Sequence, residues 1–185
     1  MYRIPNDARA QKSAQLICKG LEACLAEKPL SETRVADIHR KCFVSRSTFY
    51  RLFDSINDVI AYQCDLIFAE IVKMIDQKTF STQKEKAVCC AKVWLKHPPF
   101  VKALVDNDLG WMIYQTHDKH FASLSNLYPE EFQYGRLSVY FISILSSIIS
   151  TAMSVYIKNG STETIEEAYD HVCACTSAIA KTLVR

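Results

Sequence analysis

The stretch VADIHRKCFVSRSTFYRLFDSINDVIAY, residues 35–62, contains two short apolar helical patterns separated by the four residues CFVS. Val35 and Ile38 recur at helical spacing before this joint, and Phe49 and Phe53 lie four residues apart after it. Residues spaced by three or four positions lie on one face of a helix, so each pattern predicts a short helix with one buried side. Two short helices joined by about four residues are typical of a helix-turn-helix unit.

Polar residues mark where the helices of this stretch begin. Ser45 stands at the N-cap position of the second short helix, and Ser55 and Asp58 have the spacing of a capping box at the start of the next helix. Thr33 is expected to cap the first short helix, with Asp37 in its first turn. These signals predict three successive helix starts within about 25 residues.

The rest of the chain has the pattern of helices as well. Residues 8–30 carry apolar side chains at helical spacing up to Pro29, and five further helical segments follow residue 80. Alternation of the kind found in strands is absent over any useful length, and there are no internal repeats. With 49% apolar residues and only four Gly and five Pro in 185, the sequence predicts an all-α fold of about nine helices.

Residues 137–157, LSVYFISILSSIISTAMSVYI, contain no charged side chain over 21 positions, about the length that crosses a bilayer. Ser143, Ser147, Ser150 and Ser154 form a stripe of small polar side chains along this segment. A solitary spanning helix gains little from such a stripe, whereas a helix packed in protein can approach its neighbours closely there. The pattern therefore favours a buried central helix or an interface helix over a membrane span.

Charge and cysteine content limit the function classes. The formal net charge is +2, and residues 1–60 carry ten Lys/Arg against seven Asp/Glu, a mild basic bias that alone does not indicate nucleic acid. The eight cysteines fall in apolar helical patterns without a C-x-x-C pair, so we expect reduced structural thiols rather than a zinc or redox site.

The lack of a signal-like segment favours the cytoplasm. Neither a Gly-rich phosphate loop nor H-E-x-x-H, G-x-S-x-G or an acid pair occurs, so we predict no enzyme activity, catalytic residue or cofactor.

The second short helix carries its polar side chains where a helix-turn-helix motif contacts DNA. The second helix of that motif enters the major groove, which is about 12 Å wide, and its first turns reach the base edges. Arg46 is the best candidate to contact a base, because a guanidinium can bridge O6 and N7 of guanine. Arg34 and Arg51, and more weakly Lys41, are candidates to contact phosphates. The alternative for each is a solvated surface charge.

The segment DIHRKCFVSRSTFYRLFDSINDVI resembles the DNA-binding signature of the tetracycline-repressor (TetR) family of bacterial regulators. The matching positions are Asp37, Ile38, Val44, Ser45, Thr48, Phe49, Tyr50, Phe53 and Ser55. The resemblance implies that Tyr50 contacts a phosphate and that Arg46, Ser47 and Thr48 contact bases or the backbone. The complete set of predicted DNA-binding residues is Thr33, Arg34, Ser45, Arg46, Ser47, Thr48, Tyr50 and Arg51.

The resemblance also implies an organisation for the whole chain. Residues 1–54 would form the helix-turn-helix domain and residues 55–185 a helical regulatory and dimerisation domain, whose last two long helices form a four-helix interface in a homodimer on a palindromic operator. A small-molecule effector of unknown identity would bind among the C-terminal helices. The candidate lining residues are Trp94, Phe100, Trp111, Tyr114, His117, Phe121 and Tyr140, although aromatic side chains at helical spacing are usually core. His117 and His120 lack a third metal ligand, so no metal site is predicted.

Three positions depart from the family pattern. Cys42–Phe43 stands where Ala-Gly is common, and a left-handed backbone at Phe43 would cost about 1–2 kcal/mol. Ile56 stands where a phosphate-contacting Lys is frequent, and Arg34 where a Thr cap is frequent.

The expected function is a dimeric, sequence-specific DNA-binding transcriptional regulator, a repressor released by a small molecule. The alternative is a TetR-like coregulator that acts through protein contacts without binding DNA.

Overall fold

The computed structural model describes the backbone of residues 2–124 and 134–183, and the side chains of these residues except 121–124. Throughout these parts of the chain the regular structure is helical, with nine α-helices and one short 3₁₀ helix at Leu30–Glu32. The α-helices are α1 (Ala8–Leu25), α2 (Val35–Cys42), α3 (Arg46–Leu52), α4 (Ile56–Gln77), α5 (Gln83–Trp94), α6 (Pro98–Asp106), α7 (Trp111–Leu124), α8 (Gly135–Lys158) and α9 (Ile165–Leu183). The predicted all-α fold and the predicted number of helices are confirmed.

Helices α1, α2 and α3 pack on one another and form the N-terminal unit. Ile17 and Leu21 of α1 and Ile38 of α2 are fully buried between them. The closest approach is at Gly20 of α1, where an added Cβ would lie 2.8 Å from Cβ of Cys42 and 3.0 Å from the carbonyl oxygen of Ile38. The absence of a side chain at position 20 therefore allows α2 to lie directly against α1.

Two of the predicted helix starts are confirmed. The hydroxyl of Ser45 accepts the backbone N–H of Thr48 at 3.1 Å and caps α3. At the start of α4, the Ser55 hydroxyl accepts the N–H of Asp58 at 3.3 Å, and the Asp58 carboxylate accepts the N–H of Ser55 at 3.1 Å. Such reciprocal bonds satisfy backbone donors that a helix leaves without an intrahelical partner.

The predicted cap of α2 is wrong. The N-cap residue is Arg34, whose backbone N–H donates to the carboxylate of Asp37 at 2.9 Å. Thr33 is only 6% exposed, and its hydroxyl donates to the carbonyl of Pro29 at 3.1 Å. The reason is the 3₁₀ helix, which ends at Thr33 and directs its side chain back into that turn.

Helix α4 connects the N-terminal unit with the remaining helices, since it packs against α1, α5 and α7. One apolar core runs along it, from Val59 and Ile60 near its start to Phe68 and Ile71 in its second half. The predicted boundary at residues 54 and 55 falls in the link between α3 and α4. The division of the chain into two domains at this boundary stays a prediction.

Helices α8 and α9 bury little of their surface in the single chain. Only Ile142 and Ser146 of α8 are buried, and α9 has no buried residue. The structure therefore excludes a central buried role for α8, whereas the interface role stays a prediction. Among the described helices, α8 alone is long and apolar enough to cross a bilayer. Ser150 of α8 does lie very close to a neighbouring segment of the chain. A Cβ at Gly110 would lie 2.1 Å from Oγ of Ser150.

The cysteines divide into three groups, of which the partly buried one consists of Cys89 and Cys90 on α5. Cys18, Cys24, Cys42 and Cys64 are buried, where they act as small apolar side chains. Burial raises the pKa of Cys18 and of Cys64 well above the ordinary thiol value. On α9, Cys173 and Cys175 are exposed in the single chain, so the expected role of structural thiols is not met there by burial.

Candidate nucleic-acid interface

Helix α3 has seven residues, one apolar side and one exposed side. Phe49 is 2% exposed and Leu52 1% exposed, and both face the core of the N-terminal unit. Tyr50 is 57% exposed although it is aromatic. The exposed residues of the helix are Arg46, Ser47, Tyr50 and Arg51, while Thr48 is partly buried. The helix thus presents cationic, hydroxyl and phenol groups to solvent.

Aromatic rings hold α3 against the molecule from its buried side. The rings of Phe49 and Phe53 lie 5.8 Å apart, and the ring of Phe53 lies 5.7 Å from that of Tyr62 on α4. Tyr2 completes the cluster at 6.4 Å from Phe53. Each aromatic pair at such a distance typically stabilises the folded protein by about 0.5–1.5 kcal/mol, in addition to the contribution of the apolar area that it buries. The predicted buried edge of Phe49 and Phe53 is confirmed.

An N-terminal segment, residues 2–4, ties α3 to α4 and α7. The backbone N–H of Arg3 donates to the carbonyl of Leu52 at 2.8 Å. The Tyr2 hydroxyl donates to the carboxylate of Asp65, and the ammonium of Lys119 lies 2.7 Å from that hydroxyl and 2.5 Å from the carboxylate. Sequence reasoning missed this linkage, because its members are separated by 49 or more positions and leave no local pattern.

The cations near α3 differ in their partners. Arg46, Arg51 and Arg34 form no ion pair within the parts of the chain that the structure describes. Lys41 pairs with Glu27 at 2.5 Å, and both side chains are exposed. Exposed pairs contribute at most about 1 kcal/mol, so a phosphate could replace the carboxylate at little cost. The three arginines need no such exchange.

The start of α2 is fixed by Asp37. Its carboxylate lies 2.6 Å from the ammonium of Lys28 and also contacts the guanidinium of Arg40. The Lys28 hydrogen bond, with the backbone N–H of Arg34, holds the pKa of Asp37 well below its usual range. Asp37 thus remains charged and fixes the position of Arg34, whose side chain is exposed.

The joint between α2 and α3 contains a strained residue. Phe43 has φ 56° and ψ 20°, the left-handed region, and its side chain is 91% exposed. Its backbone N–H donates to the carbonyl of His39 at 3.0 Å. Nδ1 of His39 lies 2.5 Å from the carbonyl oxygen of Val44, which can only accept, so the imidazole donates. These bonds hold the turn on both sides of Phe43.

The structure brings most of the predicted DNA-binding residues together. The hydroxyl of Ser45 lies 2.9 Å from that of Ser47 and 3.0 Å from that of Thr48, in one exposed cluster at the start of α3. Thr33 is a correction, because its buried side chain is not available to a ligand. Ile56 is partly buried against the core and offers no cation at the start of α4.

Six of the seven predicted effector-lining residues have described side chains, and these six do not meet in one cavity. Trp94, Phe100 and His117 are core residues, at most 3% exposed. Trp111 lines a half-open cavity of about 400 Å³ between α6, α7 and α8. Tyr140 is 69% exposed on α8. The other two are Tyr114, which is partly buried, and Phe121, whose side chain lies outside the described residues.

The two histidines of α7 serve different contacts. Nδ1 of His117 lies 2.7 Å from the hydroxyl of Ser146, and burial lowers the pKa of His117 to about 4, so its imidazole is neutral at pH 7. His120 lies 3.3 Å from the carboxylate of Asp65 and stacks on Phe68. Within the described residues, no three His, Cys, Asp or Glu side chains are grouped so as to hold a metal ion.

No model of a known protein family matches the sequence. No curated protein matches it either. The resemblance to the TetR family therefore depends on the residues between Asp37 and Ser55, and it stays a prediction.

Proposed function

We propose that the protein is a dimeric, sequence-specific DNA-binding transcriptional regulator of the TetR type. The observation that carries the proposal is the exposed side of α3. Two arginines without an ion pair in the described structure, a hydroxyl cluster and an exposed tyrosine share a helix of seven residues whose other side is fully buried.

The dimensions of α3 suit insertion into DNA. An α-helix with its side chains is about 10–12 Å in diameter, and a major groove about 12 Å wide admits a single helix. Arg46, the first residue of α3, would contact the edge of a guanine through its guanidinium. Tyr50, Arg51 and Arg34 would contact phosphates and set the orientation, since such contacts position a protein without reading sequence.

The surface of α8 and α9 and the needs of recognition both support a homodimer. Most of the large exposed hydrophobic side chains in the described structure lie on these helices, namely Leu137, Val139, Tyr140, Ile144 and Val155 on α8, and Ile179 and Leu183 on α9. A bilayer would cover α8 alone, whereas a second subunit covers both helices. Two subunits also place two α3 helices on half-sites about one helical turn apart.

The proposed regulation is release from DNA by a small molecule, with the cytoplasm as its compartment. The cavity beside Trp111 is lined by apolar side chains, by hydroxyl groups and by one acid and one base, Asp108 and Lys158, so it suits a ligand with an apolar body and polar groups. Helix α7 also carries Lys119, which bonds Tyr2 and Asp65 and so links α7 to the segment on α3. A ligand acts only by binding one arrangement of the dimer more tightly than another.

The competing function is a coregulator that acts through protein contacts. Its specific support is Ile56, an apolar residue where a phosphate-contacting lysine is expected, and the exposed ring of Phe43. Such a protein would keep the fold and the dimer but would not bind DNA.

Selection of bound duplexes from a random pool distinguishes the two functions. We expect enrichment of a palindromic sequence whose half-sites lie about 10 base pairs, or a multiple, apart. The triple variant Arg46→Ala, Tyr50→Ala, Arg51→Ala alters only exposed positions and serves as a folded control that should enrich nothing. Equal recovery by wild type and this variant, without a palindrome, would support the coregulator.

A further inference from the structure

We infer that Phe43 contacts DNA, with its ring against an apolar group at the edge of the major groove, either a thymine methyl or the face of a deoxyribose. The inference rests on the proposed function, because it places Phe43 beside α3 in the same complex. Phe43 would thus bind DNA through a side chain that carries no charge and donates no hydrogen bond.

The exposure of Phe43 is the first observation. Its neighbours Cys42 and Val44 turn inward, the first buried and the second partly buried, while the ring of Phe43 remains 91% exposed. Burying a phenylalanine side chain is favourable because it removes apolar surface from water, and the folded subunit gains almost none of this. The ring is therefore available to a ligand.

The backbone of Phe43 is the second observation. Two other non-glycine residues in the described structure have positive φ, Asp108 at 53° and Ser161 at 54°. Both are small polar residues at helix ends, whereas Phe43 is bulky and glycine would fit its position without strain. Strained residues persist where the surroundings fix them, and they cluster at functional sites. His39 and the capped start of α3 provide that fixation here.

The position of Phe43 between cations is the third observation. Arg40 and Lys41, which pair with Asp37 and Glu27, precede it in the last turn of α2, and Arg46 follows it at the first position of α3 without an ion pair in the described structure. An aromatic ring flanked by cations suits a surface on which anionic groups alternate with apolar ones. The edge of the DNA major groove has this character, with phosphates beside deoxyribose and thymine methyl groups. The order of cationic and apolar side chains along this joint thus favours the duplex as the occupant.

Substitution of Phe43 by glycine separates a DNA contact from a structural role. Phe43→Gly removes both the ring and the strain, so chemical denaturation should show a subunit at least as stable as wild type. Binding to the selected duplex should nevertheless weaken about fivefold to tenfold, the size expected for one lost apolar contact. Phe43→Asn tolerates the left-handed backbone and should behave likewise, while Phe43→Tyr keeps the ring and should bind within about twofold of wild type.

Duplexes with deoxyuridine in place of single thymines identify the contacted group. A thymine methyl contact predicts one position at which deoxyuridine weakens wild type but has no further effect on Phe43→Gly. A deoxyribose contact predicts that Phe43→Gly binds more weakly while no thymine replacement acts in this way. Either result supports the inference.

Arg46→Ala, measured in the same titrations, distinguishes a failure of the Phe43 contact from a failure of the proposed function. If Arg46→Ala binds more weakly than wild type while Phe43→Gly and Phe43→Asn bind as tightly as wild type, the Phe43 contact is wrong and the proposed function stands. If wild type binds no duplex even at 50 mM salt, both are wrong.

Discussion

Arg46 and Arg51 are both exposed on α3, but they are expected to make different contacts with DNA. Arg46→Ala should relax base preference and cost ~1–3 kcal/mol in specific binding, because a bidentate guanine contact is lost. Arg51→Ala should weaken binding to all duplexes alike and lower the salt slope by about one, because a phosphate contact is lost. Dissociation constants on the selected duplex and on a scrambled duplex measure both effects.

The matched control for these two variants is Lys73→Ala, an exposed cation in the second half of α4 and outside the proposed dimer interface. It removes one positive charge away from α3 and should leave both dissociation constants unchanged. Equal selectivity of wild type and Arg46→Ala would exclude Arg46 from base contact.

Burial of His117 makes the stability of the fold depend on pH. The pKa of its imidazole is lowered from 6.5 to about 4 because the ring is 2% exposed. Between these two values the unfolded chain binds a proton that the folded chain does not. The free energy of unfolding should therefore fall as the pH drops from 6.5 to 4, with up to roughly 3 kcal/mol due to this group.

His117→Gln tests this dependence by urea unfolding at pH 7, 5.5 and 4.5. The amide removes the titrating group and keeps a polar partner for Ser146, so the loss of stability on acidification should be smaller than in wild type. His171→Gln, at a histidine whose side chain is 73% exposed, should leave the wild-type loss unchanged. An unaltered pH dependence in His117→Gln would mean that other groups cause it.

Single residues were predictable where their partners are close in sequence. The Ser45 cap and the pair Phe49 and Phe53 involve positions three or four apart, which a helix places together. Thr33 was wrong as a cap because a 3₁₀ turn, which has no strong sequence signal, precedes α2. Tyr2 was missed because its hydroxyl meets Asp65 and Lys119 only after the chain has folded.

At the scale of helices, the contact of α1 with α2 depends on Gly20. Alanine has the higher helix propensity by about 1 kcal/mol, yet its Cβ would lie 2.8 Å from Cβ of Cys42. Because overpacking typically costs 1–3 kcal/mol, we expect Gly20→Ala to lower the free energy of unfolding by about 1 kcal/mol or more. Gln15→Ala, at an exposed position of α1, should change it by less than about 0.5 kcal/mol. A stabilised Gly20→Ala protein would contradict the close packing.

The starts and ends of helices could be predicted from capping residues and prolines in the sequence. The burial of whole helices could not be predicted in this way. The apolar length of α8 suggested a covered helix, and only Ile142 and Ser146 are buried in the single chain. Helix α9 is similar, with exposed Ile179 and Leu183. Periodicity shows which face of a helix is apolar, but whether the same chain or another covers that face depends on the tertiary arrangement.

For the whole molecule, association through α8 and α9 is the main expectation. Ile179 is 57% exposed in the single chain, so Ile179→Glu should leave the subunit folded while it places a charge in the proposed interface. Sedimentation velocity should show a dimer for wild type and a monomer for Ile179→Glu. Leu16→Glu, at an exposed apolar position of α1, should remain dimeric. A monomeric wild type, or a dimer unaffected by Ile179→Glu, would refute this interface.

The most direct test of DNA binding is a titration of the selected duplex, or of a generic duplex if selection enriches none, at 50 mM and 200 mM salt. Arg34 and Arg51 on two subunits would neutralise about four phosphates, so the affinity should fall roughly a hundredfold between these concentrations. The variant Arg46→Ala, Tyr50→Ala, Arg51→Ala should bind far more weakly at both. A wild-type protein that binds neither duplex at 50 mM salt, or binds with an affinity independent of salt, would contradict the proposal that α3 enters the major groove.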